Sequence, residues 1–205
     1  MFRSILVIII SYLVGSIPFG LIIGRLWAKI DVREYGSGNI GTSNVLRTVG
    51  PWAAITVFAL DVAKGAAAVY LATLAGADYV RILAGVAAIV GHNWPIYLRF
   101  RGGKGIATSL GVVITLTPVV ALMLLGLWII IVGITRYISL ASLAVAFLFP
   151  LFLIVFDAPW TYVLAGVLIS AFAFHRHRDN IKRLLGGTEH KIGQKANKKA
   201  DPKDS

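Results

Sequence analysis

The stretch Arg99–Gly111, RFRGGKGIATSLG, sets Arg99, Arg101 and Lys104 among glycines between two apolar segments. Glycine lacks a Cβ, so a backbone rich in it can turn its N–H groups toward one point, and a lysine alongside adds a full positive charge. Gly102, Gly103, Lys104 and Gly105 therefore read as a cradle for an anion such as phosphate. The ATPase P-loop does not fit: Gly105 follows Lys104 where Ser or Thr is needed, and Leu98 occupies the first glycine position. A second polar stretch, YGSGNIGTSNVLRTVG, carries Ser37, Gly38, Asn39, Thr42, Ser43, Asn44 and Arg47. Gly36, Gly38 and Gly41 match a dinucleotide fingerprint in spacing alone. No strand precedes them and no βαβ unit surrounds them, so a nicotinamide cofactor is set aside. What remains is a polar turn leading into a helix, where free amides and the helix dipole favour an anion, with Arg47 about a turn inside. A third stretch, HRHRDNIKRLLGGTEHKIG, places His177 and Asn180 at i and i+3 on one helical face, with Arg176, Arg178, Lys182 and Arg183 around them.

These groups are suited to holding anions and poorly supplied with acids and bases. Paired carboxylates for glycosidic chemistry are missing, and so is a carboxylate cluster for the Mg²⁺ of ATP-dependent phosphoryl transfer. There is no Gly-x-Ser-x-Gly elbow. The absence of cysteine excludes disulfides, thiolate metal sites and thiol nucleophiles. The pattern points to a substrate that is phosphorylated and already activated, with electrostatic positioning supplying most of the catalysis, and calls for no metal and no cofactor. His177 is a candidate base, although its cationic neighbours should depress its pKa; a phosphate oxygen of the substrate is the alternative proton acceptor. His92, in GHNWPIYL, is placed near a membrane edge as either a base or a helix-end hydrogen bonder. Ser139 and Ser142 can offer hydroxyls to a ligand or bond their own helix carbonyls.

The elements that must position these residues are membrane helices. The 205-residue chain is 58% hydrophobic, with a mean hydropathy of +0.81. At about 20 residues per crossing, the apolar runs predict an all-α polytopic protein of about seven transmembrane helices. The first, Ser4–Leu26, reads as an uncleaved span kinked at Pro18, with Gly20 and Gly24 forming a face for close helix packing. Further spans are expected within Pro51–Gly76, Val80–Leu98, Leu140–Phe156 and Trp160–Phe174, while Ile106–Ile134 should break at Thr117-Pro118 into a hairpin of two short spans. Asp78 and Arg81 bracket a short turn. Asp61 and Lys64, at i and i+3 inside a span, read as a structural ion pair. The net charge of +11 lies in short loops and the C-terminal tail, which fits topology control, anionic lipid and phosphorylated substrates better than nucleic acid. Lys29, Arg33, Arg47, Arg99, Arg101, Lys104 and Arg136 fall on one side with the C-terminus, placing the N-terminus outside, the C-terminus inside and the three polar stretches together on the cytoplasmic face. Residues 1–190 then form one transmembrane domain, with an interfacial helix ending at Gly186-Gly187, and residues 191–205 a basic tail without fixed structure. Broken spans, intramembrane charges and a one-sided anion site would also suit a transporter of phosphorylated solutes, though no inverted repeat is evident.

Taken together and in order, the three polar stretches resemble the cytoplasmic motifs of the bacterial acyl-phosphate-dependent glycerol-3-phosphate acyltransferases, over nearly the whole chain. The His-x4-Asp signature of acyl-CoA-dependent glycerolipid acyltransferases is missing: Asp179 follows His175 too closely, and Asn180 stands where that signature needs the acid. The resemblance implies acyl transfer from acyl phosphate to the 1-hydroxyl of sn-glycerol 3-phosphate, giving lysophosphatidic acid and inorganic phosphate, in the bacterial inner membrane as the first step of phospholipid synthesis. It implies Ser37 and Arg47 as essential positions of the first motif, Gly102, Gly103, Lys104 and Gly105 as the acyl-phosphate motif, and His177, Asn180 and a structural Glu189 in the third. The enzyme that makes acyl phosphate is a candidate partner.

Overall fold

A computed structural model describes residues 1–73 and 78–194. Its helices are α1 (Phe2–Gly15), α2 (Phe19–Ala28), α3 (Thr42–Thr48), α4 (Pro51–Thr73), α5 (Asp78–Asn93), α6 (Ile106–Leu116), α7 (Pro118–Thr135), α8 (Ile138–Val155), α9 (Trp160–Arg176) and α10 (Arg178–Leu185). Short 3₁₀ turns at Val32–Glu34 and Ile96–Leu98 precede the first two polar loops. Among the described residues, four segments are long and apolar enough to cross a membrane: Phe2–Ala28, Pro51–Thr73, Pro118–Thr135 and Ile138–Val155. Helix α6 has 11 residues and so rises only about 17 Å, roughly half of a hydrocarbon core. Asp78 and Arg81, expected to bracket a short turn, instead lie together in the first turn of α5, where they form an i,i+3 pair.

Small residues set the spacing between helices. Gly65 and Gly111 sit where α4 and α6 meet, and a Cβ on either would run into the backbone of the other helix, at Thr108 and Val62. Gly15 and Gly91 do the same between α1 and α5. Such close approach supplies the van der Waals contact that holds helices together where lipid removes the hydrophobic drive between them. Gly20 and Gly24 serve a different neighbour from the helix expected: a Cβ on Gly20 would meet the Ile40 carbonyl, and one on Gly24 the Val32 side chain, so this face of α2 packs on the first polar loop.

Pro18 and Pro118 separate α1 from α2 and α6 from α7, the latter as expected, while Pro150 leaves α8 continuous. Near Pro18 and Pro150 a backbone carbonyl is taken up by a side chain of another element. Pro18 separates α1 from α2, and the Ile17 carbonyl accepts a hydrogen bond from Lys64 Nζ at 3.0 Å. Pro150, inside α8, has no N–H to give Ala146; the Ala146 carbonyl instead accepts from Ser170 Oγ of α9 at 2.6 Å. The expected Asp61–Lys64 pair is present at 2.7 Å, with side chains only 2% and 3% exposed. His92 joins it: Lys64 Nζ lies 2.9 Å from His92 Nδ1. The lysine's three N–H donors thus meet Asp61, the Ile17 carbonyl and His92, which ties the link between α1 and α2 to α4 and α5 at one point.

Removing one member of a buried ion pair strands the other charge and typically costs about 3–5 kcal/mol, whereas replacing both by apolar groups is far milder. Lys64→Ala should therefore lower the thermal midpoint of the detergent-solubilised protein sharply, and Asp61→Leu/Lys64→Met should recover much of the loss. A double variant as unstable as the single one would contradict the pairing.

Candidate active site

The loops at one end of the helix bundle enclose a cavity of about 120 Å³ whose wall carries hydroxyl, amide and charged side chains among apolar ones. Arg47, His92, Lys104, Ser139 and His177 all lie on its wall. Consequently α4–α5, α6–α7 and α8–α9 are three helix pairs that each leave the cavity and return to it.

The first polar loop is organised by Asn44, which is buried. Its Nδ2 donates to the Val32 and Tyr35 carbonyls at 2.8 and 3.2 Å, and its Oδ1 accepts the Ser37 amide at 3.1 Å. Asn39 Oδ1 accepts the Gly41 amide at 2.9 Å, an Asx turn that sets the start of α3. Ser37, Asn39, Thr42, Ser43 and Arg47 are thereby held along the cavity, and Thr42 Oγ1 is buried there with no hydrogen-bond partner.

The second loop is pinned from both sides, one residue before Lys104. The Gly103 amide donates to the His92 carbonyl at 3.0 Å, and Arg176 donates to the Gly103 and Gly102 carbonyls at 2.9 and 2.7 Å while its guanidinium lies 5.7 Å from the centre of the Trp94 ring. A Cβ on Gly103 would collide with the His92 ring, and one on Gly102 with the His92 carbonyl. Gly105 begins α6 with φ of +81°, a conformation that favours glycine. Gly102 and Gly103 thus act as packing surfaces, and the Gly103 N–H is already spent on the protein.

Lys104 is the centre of the arrangement. Its Nζ donates to Asn180 Oδ1 at 2.6 Å. Asn180 Nδ2 in turn donates to Glu189 Oε1 at 2.7 Å, and that carboxylate also accepts from Ser139 Oγ at 2.9 Å and, through Oε2, from Arg183 Nε at 2.7 Å. Burial alone would raise the Glu189 carboxyl, but the hydrogen bonds from Asn180, Arg183 and Ser139 hold it below its ordinary value. Burial draws the Lys104 ammonium down to about 8; Arg183, Arg47 and Arg176 add to this and Glu189 opposes it. Of the two carboxylates on the wall, Asp61 is paired with Lys64 and Glu189 faces Lys104, Arg47 and Arg183, so a surplus of positive charge remains that favours binding of an anion.

His177 ends α9. Its Nδ1 lies 2.7 Å from the Ala173 carbonyl; a carbonyl can only accept, so Nδ1 carries the proton and Nε2 keeps a lone pair. Burial first, and the Lys104 charge second, push the imidazole down to about 3, so it is neutral at physiological pH. Ser142 Oγ donates to the Ile138 carbonyl at 2.8 Å and accepts from Trp128 Nε1 at 3.2 Å.

Of the residues expected from sequence, Ser37, Asn39, Thr42, Ser43, Asn44, Arg47, Lys104, Gly105, Ser142, His177 and Asn180 line the cavity, whereas Gly38, Gly102 and Gly103 do not. His92, one residue before the end of α5, is buried and bonded to Lys64, so it serves as a hydrogen bonder at that helix end. Phe58, Asp61 and Trp128 also line the wall and were not singled out as site residues. For Trp128 a signal existed: it lies well inside its span, where tryptophan, which prefers the interfaces, has a reason to be. Phe58, Ile106, Trp128 and Ser142 also line a second, almost wholly apolar cavity of about 120 Å³ between α6, α7, α8 and α9, so the two cavities share a wall.

The sequence model of a family described as glycerol-3-phosphate acyltransferase matches residues 5–187. The chain belongs to the glycerol-3-phosphate acyltransferase family. It is therefore an acyltransferase and a membrane protein of phospholipid biosynthesis. Among its relatives, the glycerol-3-phosphate acyltransferase of Thermoanaerobacter pseudethanolicus is 44% identical over 192 residues, covering 94% of this chain and 97% of that one. Glycerol-3-phosphate acyltransferase 2 of Moorella thermoacetica is 43% identical, covering 94% and 99%. The solved structure of PlsY (YgiH), an integral membrane glycerol 3-phosphate acyltransferase, in its glycerol 3-phosphate form superposes with a TM-score of 0.89 at 40% identity, covering 93% of this chain and 96% of that one. Its lysophosphatidic acid form gives 0.86 at 39%, covering 93% and 95%.

In this acyltransferase, anion affinity should fall as pH rises through about 8, because deprotonation removes the Lys104 charge. Sulfate, whose own charge is constant in that range, is a suitable probe for calorimetry. Lys104→Arg should abolish the alkaline limb, since a guanidinium stays charged; an unchanged limb in that variant would assign the titration to another group.

Proposed function

We propose that this acyltransferase moves a fatty acyl group from acyl phosphate to the 1-hydroxyl of sn-glycerol 3-phosphate, releasing lysophosphatidic acid and inorganic phosphate. The observation that carries the reading is the shared wall between a cation-rich cavity and an apolar one. Both the donor and the product are amphiphiles with a phosphate and an acyl chain, and they need both environments side by side. The related PlsY has been captured in glycerol 3-phosphate and lysophosphatidic acid forms, which supports the acceptor and the product.

In this reaction the glycerol oxygen attacks the acyl carbon, the bond from that carbon to the bridging oxygen breaks, and inorganic phosphate leaves. Lys104 and Arg47 hold phosphate and offset the charge that grows on the leaving group. Ser37, Asn180 and Ser142 orient the glycerol hydroxyls. An imidazole with a pKa near 3 is a weak base at neutral pH, so the hydroxyl proton passes to a phosphate oxygen of the substrate, while the His177 Nε2 lone pair accepts a hydrogen bond that orients the acceptor.

The same loops carry the basic residues, which supports seven spans with the N-terminus outside, the C-terminus cytoplasmic and the cavity opening to the cytoplasmic face of the inner membrane. Residues 1–190 would form the catalytic domain, and 191–205 a basic tail. The contacts nonetheless continue past 190, because the Ile192 amide donates to the Arg136 carbonyl at 2.9 Å and Arg136 Nη2 donates to the Ile192 carbonyl at 2.8 Å; residues 195–205 lie outside the described set. The enzyme that makes acyl phosphate remains a candidate partner, since its product is unstable in water.

Purified protein with labelled glycerol 3-phosphate should release inorganic phosphate and lysophosphatidic acid with acyl phosphate, and not with acyl-CoA or acyl carrier protein. Lys104→Ala should lower kcat/KM by about ten- to a hundredfold, the worth of a charged hydrogen bond. His177→Gln should retain far more turnover than loss of a general base allows, which is about 10²–10⁴-fold. Product from acyl-CoA alone would overturn the donor, and a loss in that range with His177→Gln would restore histidine as the base.

A further inference from the structure

We infer that Val113, Phe149 and Ile169 form a floor that sets how long an acyl chain this enzyme accepts. The inference rests on the reading that the apolar cavity holds the acyl chain. Beneath that cavity lies a third void of about 10 Å³, at the lower limit for a single water-sized group. Val113, Phe149 and Ile169 line both the cavity and the void and so form the partition between them. They come from three different helices, α6, α8 and α9, and are 7%, 8% and 7% exposed. The partition is backed by close packing: a Cβ built on Gly166 of α9 would lie 2.7 Å from Leu153 Cδ1 and 3.5 Å from Phe149 Cε1. Phe149 also sits just before Pro150, where Ser170 takes up the freed Ala146 carbonyl and fixes α8 against α9.

A chain that fills the cavity meets this partition at its terminal methyl. Each further methylene then has to displace packed side chains instead of gaining contact. Where room exists, an added methylene is worth about fourfold in affinity. Removing the Phe149 ring joins the cavity to the void and makes that gain available to longer chains. A large side chain at Ala121, on the α7 wall of the same cavity, has the opposite effect.

The test is the dependence of kcat/KM on chain length, measured with the full-length protein in detergent and a series of saturated acyl phosphates. Phe149→Ala should move the optimum to longer donors, raising the preference for a donor two carbons longer than the wild-type optimum by up to about fifteenfold, and Ala121→Phe should move it to shorter ones. If Phe149→Ala does not fold, Phe149→Leu and Ile169→Val test the same partition with smaller expected shifts. Unchanged profiles in the folded variants would overturn the floor and mean that the chain leaves the cavity sideways into the bilayer. Leu125→Trp, at a position that lines the apolar cavity and not the polar one, separates this failure from that of the underlying reading. If the acyl chain occupies the apolar cavity, that variant raises KM for every acyl phosphate and leaves KM for glycerol 3-phosphate alone. An unchanged donor KM would remove the acyl cavity itself.

Discussion

Glu189 stands among Lys104, Arg47 and Arg183, and the site depends on how it is held. Its oxygens accept from Ser139 at the start of α8 and from Asn180 and Arg183 of α10, and Asn180 passes the constraint on to Lys104 in the loop before α6. Three separate parts of the chain are thereby fixed to one point. The carboxylate satisfies hydrogen bonds without cancelling the charge, because Lys104, Arg47 and Arg183 together exceed it. A cavity of this kind attracts an anion and holds it against donors that are already oriented, so little reorganisation remains for the reaction itself.

The membrane imposes the second constraint, since backbone polar groups in lipid must find partners within the protein. Pro150 frees the Ala146 carbonyl, which Ser170 takes up, and at the break between α1 and α2 Lys64 reaches the Ile17 carbonyl. These repairs lie close to the chemistry. Lys64 holds His92, whose carbonyl and ring carry Gly103, the residue before Lys104. Ser170 joins α8 to α9 beside the apolar cavity. Helix breaks that would weaken an isolated span here connect the bundle to the site.

Much of the polar site was legible because polar residues at the ends of apolar runs have few reasons to be there. Arg47, Lys104, His177 and Asn180 stood out on those grounds and line one cavity. The Asp61–Lys64 pair was legible from its i,i+3 spacing, but its third member, His92, was not, because that contact crosses between helices. Gly102 and Gly103 were read as anion-binding because a phosphate nest and close backbone packing ask for the same residue type; only the position of His92 separates the two. Asn44 was read as a substrate contact, whereas its amide is engaged by the backbone of its own loop. The apolar cavity left no trace in the sequence, since residues facing lipid and residues facing an acyl chain have the same composition.

The proposed reaction requires that one amphiphile bridge the two cavities, with its phosphate at Lys104. The most direct measurement compares binding of lysophosphatidic acid and of a monoacylglycerol with the same chain, to the wild-type protein and to Lys104→Met. The account predicts that wild type prefers the phosphate-bearing lipid and that Lys104→Met loses this preference while binding the monoacylglycerol as before. An equal loss for both lipids, or no loss for either, would mean that the phosphate is held elsewhere.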